Sequence, residues 1–71
     1  MIEQFDVVRL TDGLPDQGLP PGTQATVLDV YTDPPGYEIE VVDDDGETLF
    51  LGGVESHQVE PIWSGAEGEA E

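Results

Sequence analysis

The stretch Tyr37-Glu38-Ile39-Glu40-Val41-Val42-Asp43-Asp44-Asp45-Gly46-Glu47-Thr48-Leu49-Phe50-Leu51 decides the fold of this chain. Its first six residues alternate: Tyr37, Ile39 and Val41 fall on one face, Glu38 and Glu40 on the other. A side-chain period of two marks a half-buried strand. Asp43-Asp44-Asp45-Gly46 reads as a tight turn, with Gly46 suited to positive φ. Glu47–Leu51 alternates in part, so the whole stretch is a β-hairpin with an acidic tip.

Working outward, Gly and Pro cut the rest into short segments. Gly52-Gly53 is expected to break the fourth strand. Val54-Glu55-Ser56-His57 suits a single 3₁₀ turn, and Gln58–Ile62 a short last strand. Pro61 has no N–H to donate, so that strand belongs at a sheet edge or stops there. On the other side, Asp33-Pro34-Pro35-Gly36 is a turn and Gln24–Tyr31 a strand. Thr26, Leu28 and Val30 share one of its faces, and Ala25, Val27, Asp29 and Tyr31 the other. Apolar groups on both faces suit a strand that bends between two sheets of a barrel. Phe5–Leu10 is the first strand, followed by a long loop from Thr11 to Thr23. Leu14 and Leu19 are expected to cap one end of the core, and Pro20-Pro21 to stiffen the loop.

Nothing shows sustained helical periodicity. The expected fold is all-β: a small five-stranded SH3-like barrel with a long first loop and a 3₁₀ turn before the last strand. An oligonucleotide-binding barrel usually needs a longer chain and a helix between strands. The barrel is expected to span residues 1–63. Residues 64–71, only Gly, Ala and Glu after Ser64, read as a disordered acidic tail.

A chain of 71 residues is one domain at most. Such a domain buries only about 60% of its unfolded surface. There is no cysteine, so neither a disulfide nor a thiolate metal site can staple it. One compact core must carry the stability, which leaves no room beside it for a deep cofactor pocket. Asp and Glu number 17, Arg9 is the only Lys or Arg, and the formal net charge is −16. That field repels phosphates and anionic lipid, which argues against direct nucleic-acid or membrane binding. It attracts a basic protein and speeds its association. Solubility or adaptation to high salt would leave the same surplus. The apolar runs fall far short of the ~20 residues that span a bilayer. Met1–Asp6 lacks the basic start and apolar core of a signal peptide. A cytoplasmic protein is expected.

Phe5-Asp6-Val7-Val8, Leu14-Pro15, Gly18-Leu19, Gly22-Thr23 before Thr26-Val27, Tyr37–Val41 with its acidic Gly turn, and Val59-Glu60-Pro61 form one pattern. Over roughly residues 2–63 it resembles a family of short prokaryotic proteins, domain of unknown function 4926. More loosely, it is similar to the SH3-like barrel of nitrile hydratase β subunits. The second likeness implies at most an accessory role, because in that enzyme another subunit holds the metal through a cysteine-rich motif. No catalytic residue carries over to this chain.

The candidate sites are few. Asp43-Asp44-Asp45-Gly46-Glu47 lacks the spacing and flanking helices of an EF-hand loop, so a solvated turn is the better reading. Glu38 and Glu40 share a strand face, with Glu47 expected across the hairpin. Like charges opposed across strands destabilise unless a basic group meets them. His57 is the only histidine, and Ser56 beside it is not thereby a nucleophile. A metal would need more ligands. Trp63 and Tyr31 are candidate interface anchors, although Trp63 would equally serve as a plug for the open end of a barrel. Arg9 is expected to pair with a carboxylate. Exposed aromatics are too few for a proline-peptide groove.

The expected function is therefore non-catalytic. The chain reads as an acidic module that docks on a basic protein partner, in its most concrete form an antitoxin or immunity-type inhibitor. Glu38, Glu40, Asp43, Asp44, Asp45 and Glu47 would steer it, and Tyr31 or Trp63 would add contact area. The alternative is a structural accessory subunit whose acidity is only a surface adaptation. A third reading is self-association through the edge of the last strand. Alone, the domain is expected to be a monomer or a weak dimer. No cofactor, metal or catalytic residue is expected.

Overall fold

The computed structural model describes residues 2–63 and, of Trp63, the backbone alone. The expected tail, residues 64–71, lies outside these. Five strands form one antiparallel sheet: β1 (Val7–Leu10), β2 (Gln24–Thr32), β3 (Pro35–Val42), β4 (Thr48–Glu55) and β5 (Val59–Trp63). Their order is β4-β3-β2-β1-β5. The expected barrel is not closed: β4 and β5 end the order, and no pairing among the described residues joins them. Two 3₁₀ turns, Pro15–Gln17 and Ser56–Gln58, are the only helical elements among the described residues. Among the described residues no helix is long and apolar enough to cross a membrane.

The alternation of β3 works as its residues suggest. Ile39 and Val41 are buried, and Tyr37 packs against the same core. Inward residues meet across every strand pair: Val41 with Phe50, Val27 with Ile39, Val8 with Ala25, Leu10 with Val59. This ladder is the core, and Leu19 and half-buried Leu14 close its end from the first loop. The two leucines also bridge backbone to backbone, which folds the loop back on itself. Gly13 makes that possible. Its φ is 74°, and a Cβ there would run into the Leu19 carbonyl and the Pro20–Pro21 peptide.

Several boundaries differ from expectation, each for a local reason. The first strand starts at Val7, because Phe5 has a φ of 72° and an exposed ring. Phe5 sits instead in a turn where the Glu3 N–H donates to the buried Asp6 Oδ2 at 2.9 Å. β4 runs through Gly52-Gly53, because β3 supplies partners for both, Ile39 and Glu38. The 3₁₀ turn is shifted to Ser56–Gln58, with the Gln58 Oε1 accepting from the Glu55 N–H at 2.7 Å. β2 keeps one face only as far as Val27. Pairing then skips a residue, from Val27–Ile39 to Asp29–Glu38, so Leu28 is an inserted bulge. Asp29 and Tyr31 therefore face away from Ala25 and Val27, not with them.

Ile39 is fully buried between β2 and β4. Ile39→Ala should lower stability by about 2–4 kcal/mol in urea unfolding. Leu51→Ala, on the exposed face of β4, should stay within about 1 kcal/mol of the parent.

Candidate acidic face

The outer side of β3 carries Glu38 and Glu40, both half-buried. The bulge at Leu28 sets Asp29 directly opposite Glu38. Two carboxylates opposed across strands repel, and the local bonding answers part of that. The Tyr31 hydroxyl donates to Glu38 Oε1 at 3.0 Å, and the Asp29 Oδ1 accepts from the Val30 N–H at 2.9 Å. Glu40 faces Thr26 on one side and Leu51 on the other, and its Oε2 accepts from the Thr48 hydroxyl at 2.9 Å.

β3 then runs into the hairpin tip. Asp43 Oδ1 accepts from the backbone N–H groups of Asp45 and Glu47, each at 2.9 Å. Gly46, at a φ of 84°, returns its N–H to the Asp43 carbonyl. Asp43 is thus a turn-former, while Asp44, Asp45 and Glu47 are exposed with no side-chain hydrogen bond among the described residues. Glu47 lies across the hairpin turn from Asp43, its carbonyl accepting from the Asp43 N–H at 2.9 Å, and the residue opposite Glu38 is Gly53. Among the described residues no group of three or more His, Cys, Asp or Glu is placed to hold a metal ion.

The structure therefore brings Tyr31, Glu38 and Glu40 onto one face, and that face leads to Asp43, Asp44, Asp45 and Glu47. It does not bring Trp63 beside them in the sheet: β5 is three strands from β3 in the order. The side chain of Trp63 lies outside the described residues. Arg9 bonds Glu60 across β1 and β5, as expected of the one cation among so many acids. His57 is exposed, with Nδ1 3.8 Å from Glu55 Oε1. It lines an open groove with Tyr31, Pro34, Pro35 and Glu55.

Sequence reasoning missed two things. Asp29 belongs to the acidic face, but only the bulge reveals it. Val42, Leu49 and Leu51 stand exposed beside the acids, 49%, 52% and 57% respectively. The signal for the leucines was their odd-number spacing, out of phase with the inward Phe50.

Two measurements follow. The hydrogen bond to Glu38, then desolvation, then the charges of Glu38 and Asp29, raise the Tyr31 phenol above its ordinary 10.0. Its contribution to stability is whole below the unfolded value and is lost as the pH rises through the raised one. Ultraviolet titration of Glu38→Gln should move the Tyr31 midpoint back down. Asp43→Ala removes an acceptor shared by two N–H groups and should lower stability by about 1 kcal/mol in thermal unfolding.

No curated protein and no solved structure matches the chain. A family model does, over residues 4–61, and it takes in the whole acidic face and leaves Trp63 outside. It covers far more than half of the 71 residues, and the chain belongs to the family described as domain of unknown function, DUF4926.

Proposed function

We propose that this domain is a non-catalytic acidic module that docks on a basic surface of another protein. One observation carries the reading. Arg9, the only Lys or Arg in the chain, is engaged with Glu60 at the β5 side of the sheet. The face made by Asp29, Glu38, Glu40 and the hairpin tip has no Lys or Arg of its own to answer it. A basic partner would relieve the repulsion and be drawn in by the field. In its most concrete form the module is an antitoxin or immunity-type inhibitor working in the cytoplasm. It would cover the substrate channel of a basic nuclease, its carboxylates standing where phosphates would lie. The SH3-like reading of the architecture belongs to this proposal. It is supported by the strand order, the long first loop and the 3₁₀ turn just before β5.

A second reading has its own support. Exposed Val42, Leu49 and Leu51 suit an accessory subunit held by apolar contact. Such binding would persist at high salt, where charge pairing is screened.

The tagged domain, passed through lysate of its source organism, should capture a basic protein at low salt and release it at high salt. With that protein, Asp44→Asn/Asp45→Asn/Glu47→Gln should slow association by roughly tenfold with little change in fold. Capture that survives high salt would favour the accessory subunit. An empty column at both salts would sink both readings.

A further inference from the structure

The two edges of the sheet are unlike each other. β5 carries Glu60 and Pro61, and its pairing with β1 skips Ile62. A charge, a proline and a bulge are the usual devices that keep an edge from accepting another strand. β4 has two of the three, each at an end: the charge of Glu55 at its last residue, and a bulge at its start, where pairing steps from Val42–Thr48 to Val41–Phe50 past Leu49. From Phe50 to Glu55 it pairs with β3 without interruption, and its other side has no partner among the described residues. Residues 48–54 carry no charge and no proline, in a chain with 17 acids.

Gly53 is the second oddity. Its φ is not positive, and a Cβ there would meet nothing nearer than the Tyr37 carbonyl oxygen at 3.8 Å. The fold does not require glycine at this position, although glycine weakens a strand. Glycine in a strand also marks places where a second backbone comes close.

We propose that the open edge of β4, from Phe50 to Glu55, accepts an extended segment of the basic partner as an added strand. This deepens the basic-partner reading above and rests on it. The charges choose the occupant. Asp44, Asp45 and Glu47 stand at one end of the edge, Glu55 at the other, with Glu38 and Glu40 alongside on β3. The matching segment is a strand with apolar side chains at alternate positions, to lie beside Leu51, and Lys or Arg at both ends. A second copy fits worse: the antiparallel register that sets Leu51 against Leu51 also sets Glu47 against Glu55. The chain's own residues 64–71 fit worse still, having three Glu and no apolar side chain beyond alanine.

The test uses the peptide Lys-Arg-Val-Thr-Val-Thr-Val-Arg-Lys and the same peptide N-methylated at every internal residue. N-methylation keeps the charges and removes the N–H donors. At low salt the plain peptide should bind the full chain and slow hydrogen exchange of the outward β4 amides. N-methylation should weaken binding by at least about tenfold, and so should Leu49→Glu/Leu51→Glu in the protein. Equal binding of the two peptides, or tighter binding by the doubly substituted protein, would mean that charge alone attracts the peptide. Strand addition would then be wrong and the basic-partner reading would stand. No binding of the plain peptide would also overturn strand addition, and the lysate capture would still decide the broader reading. Dimerisation that grows with salt and is lost in the doubly substituted protein would give the edge to a second copy instead.

Discussion

Between Val27 and Asp29, β2 holds one residue more than β3 can pair with, and the sheet has to absorb it. Before that point, β2 and β3 pair core to core, Val27 on Ile39. After it, they pair acid to acid, Asp29 on Glu38. The extra residue strengthens the local twist and turns the end of β2 over. Its loose backbone groups are answered by side chains: the Leu28 carbonyl accepts from Gln4 Nε2, and the Val30 N–H donates to Asp29. The N-terminal residues are pinned at the same place, with the Phe5 N–H on the Val27 carbonyl. One inserted leucine therefore ties the N-terminus to the sheet and puts Tyr31 within reach of Glu38.

The charge distribution follows from how little there is to bury. Among the described residues the core is nine small or medium apolar side chains, and none of the fully buried ones is aromatic. A core of that size leaves a modest margin of stability, and a net charge of −16 works against compactness. Several acids contribute to the fold in return. Asp6 holds a turn, Asp29 a bulge and Asp43 a hairpin tip, and Glu60 ties β5 to β1. The exposed Asp44, Asp45 and Glu47 have no such internal task among the described residues.

What the sequence disclosed was local chemistry. The Tyr37–Val42 alternation, the Asp43–Gly46 turn and the inward Leu19 of the first loop are all read from neighbours within a few residues. What it hid was pairing. Gly52-Gly53 looks like a stop until β3 is seen to hold both residues in register. The bulges at Leu28 and Leu49 leave no mark in composition, because each is a mismatch between two strand lengths. The same blindness affected the site. Glu38 and Glu40 were legible as outward residues, but Asp29 and Gly53 as their neighbours were not. The stretch that singled out Glu47 could not show that Gly53 sits across from Glu38.

The inequality of the two edges has a further consequence. Open-ended growth of a sheet from copies of one chain needs a receptive edge on each side of every copy. Here β5 is shut by Glu60, Pro61 and the skip at Ile62. A strand added at β4, as proposed above, would therefore close the assembly and not extend it, because the far edge of each copy cannot receive another.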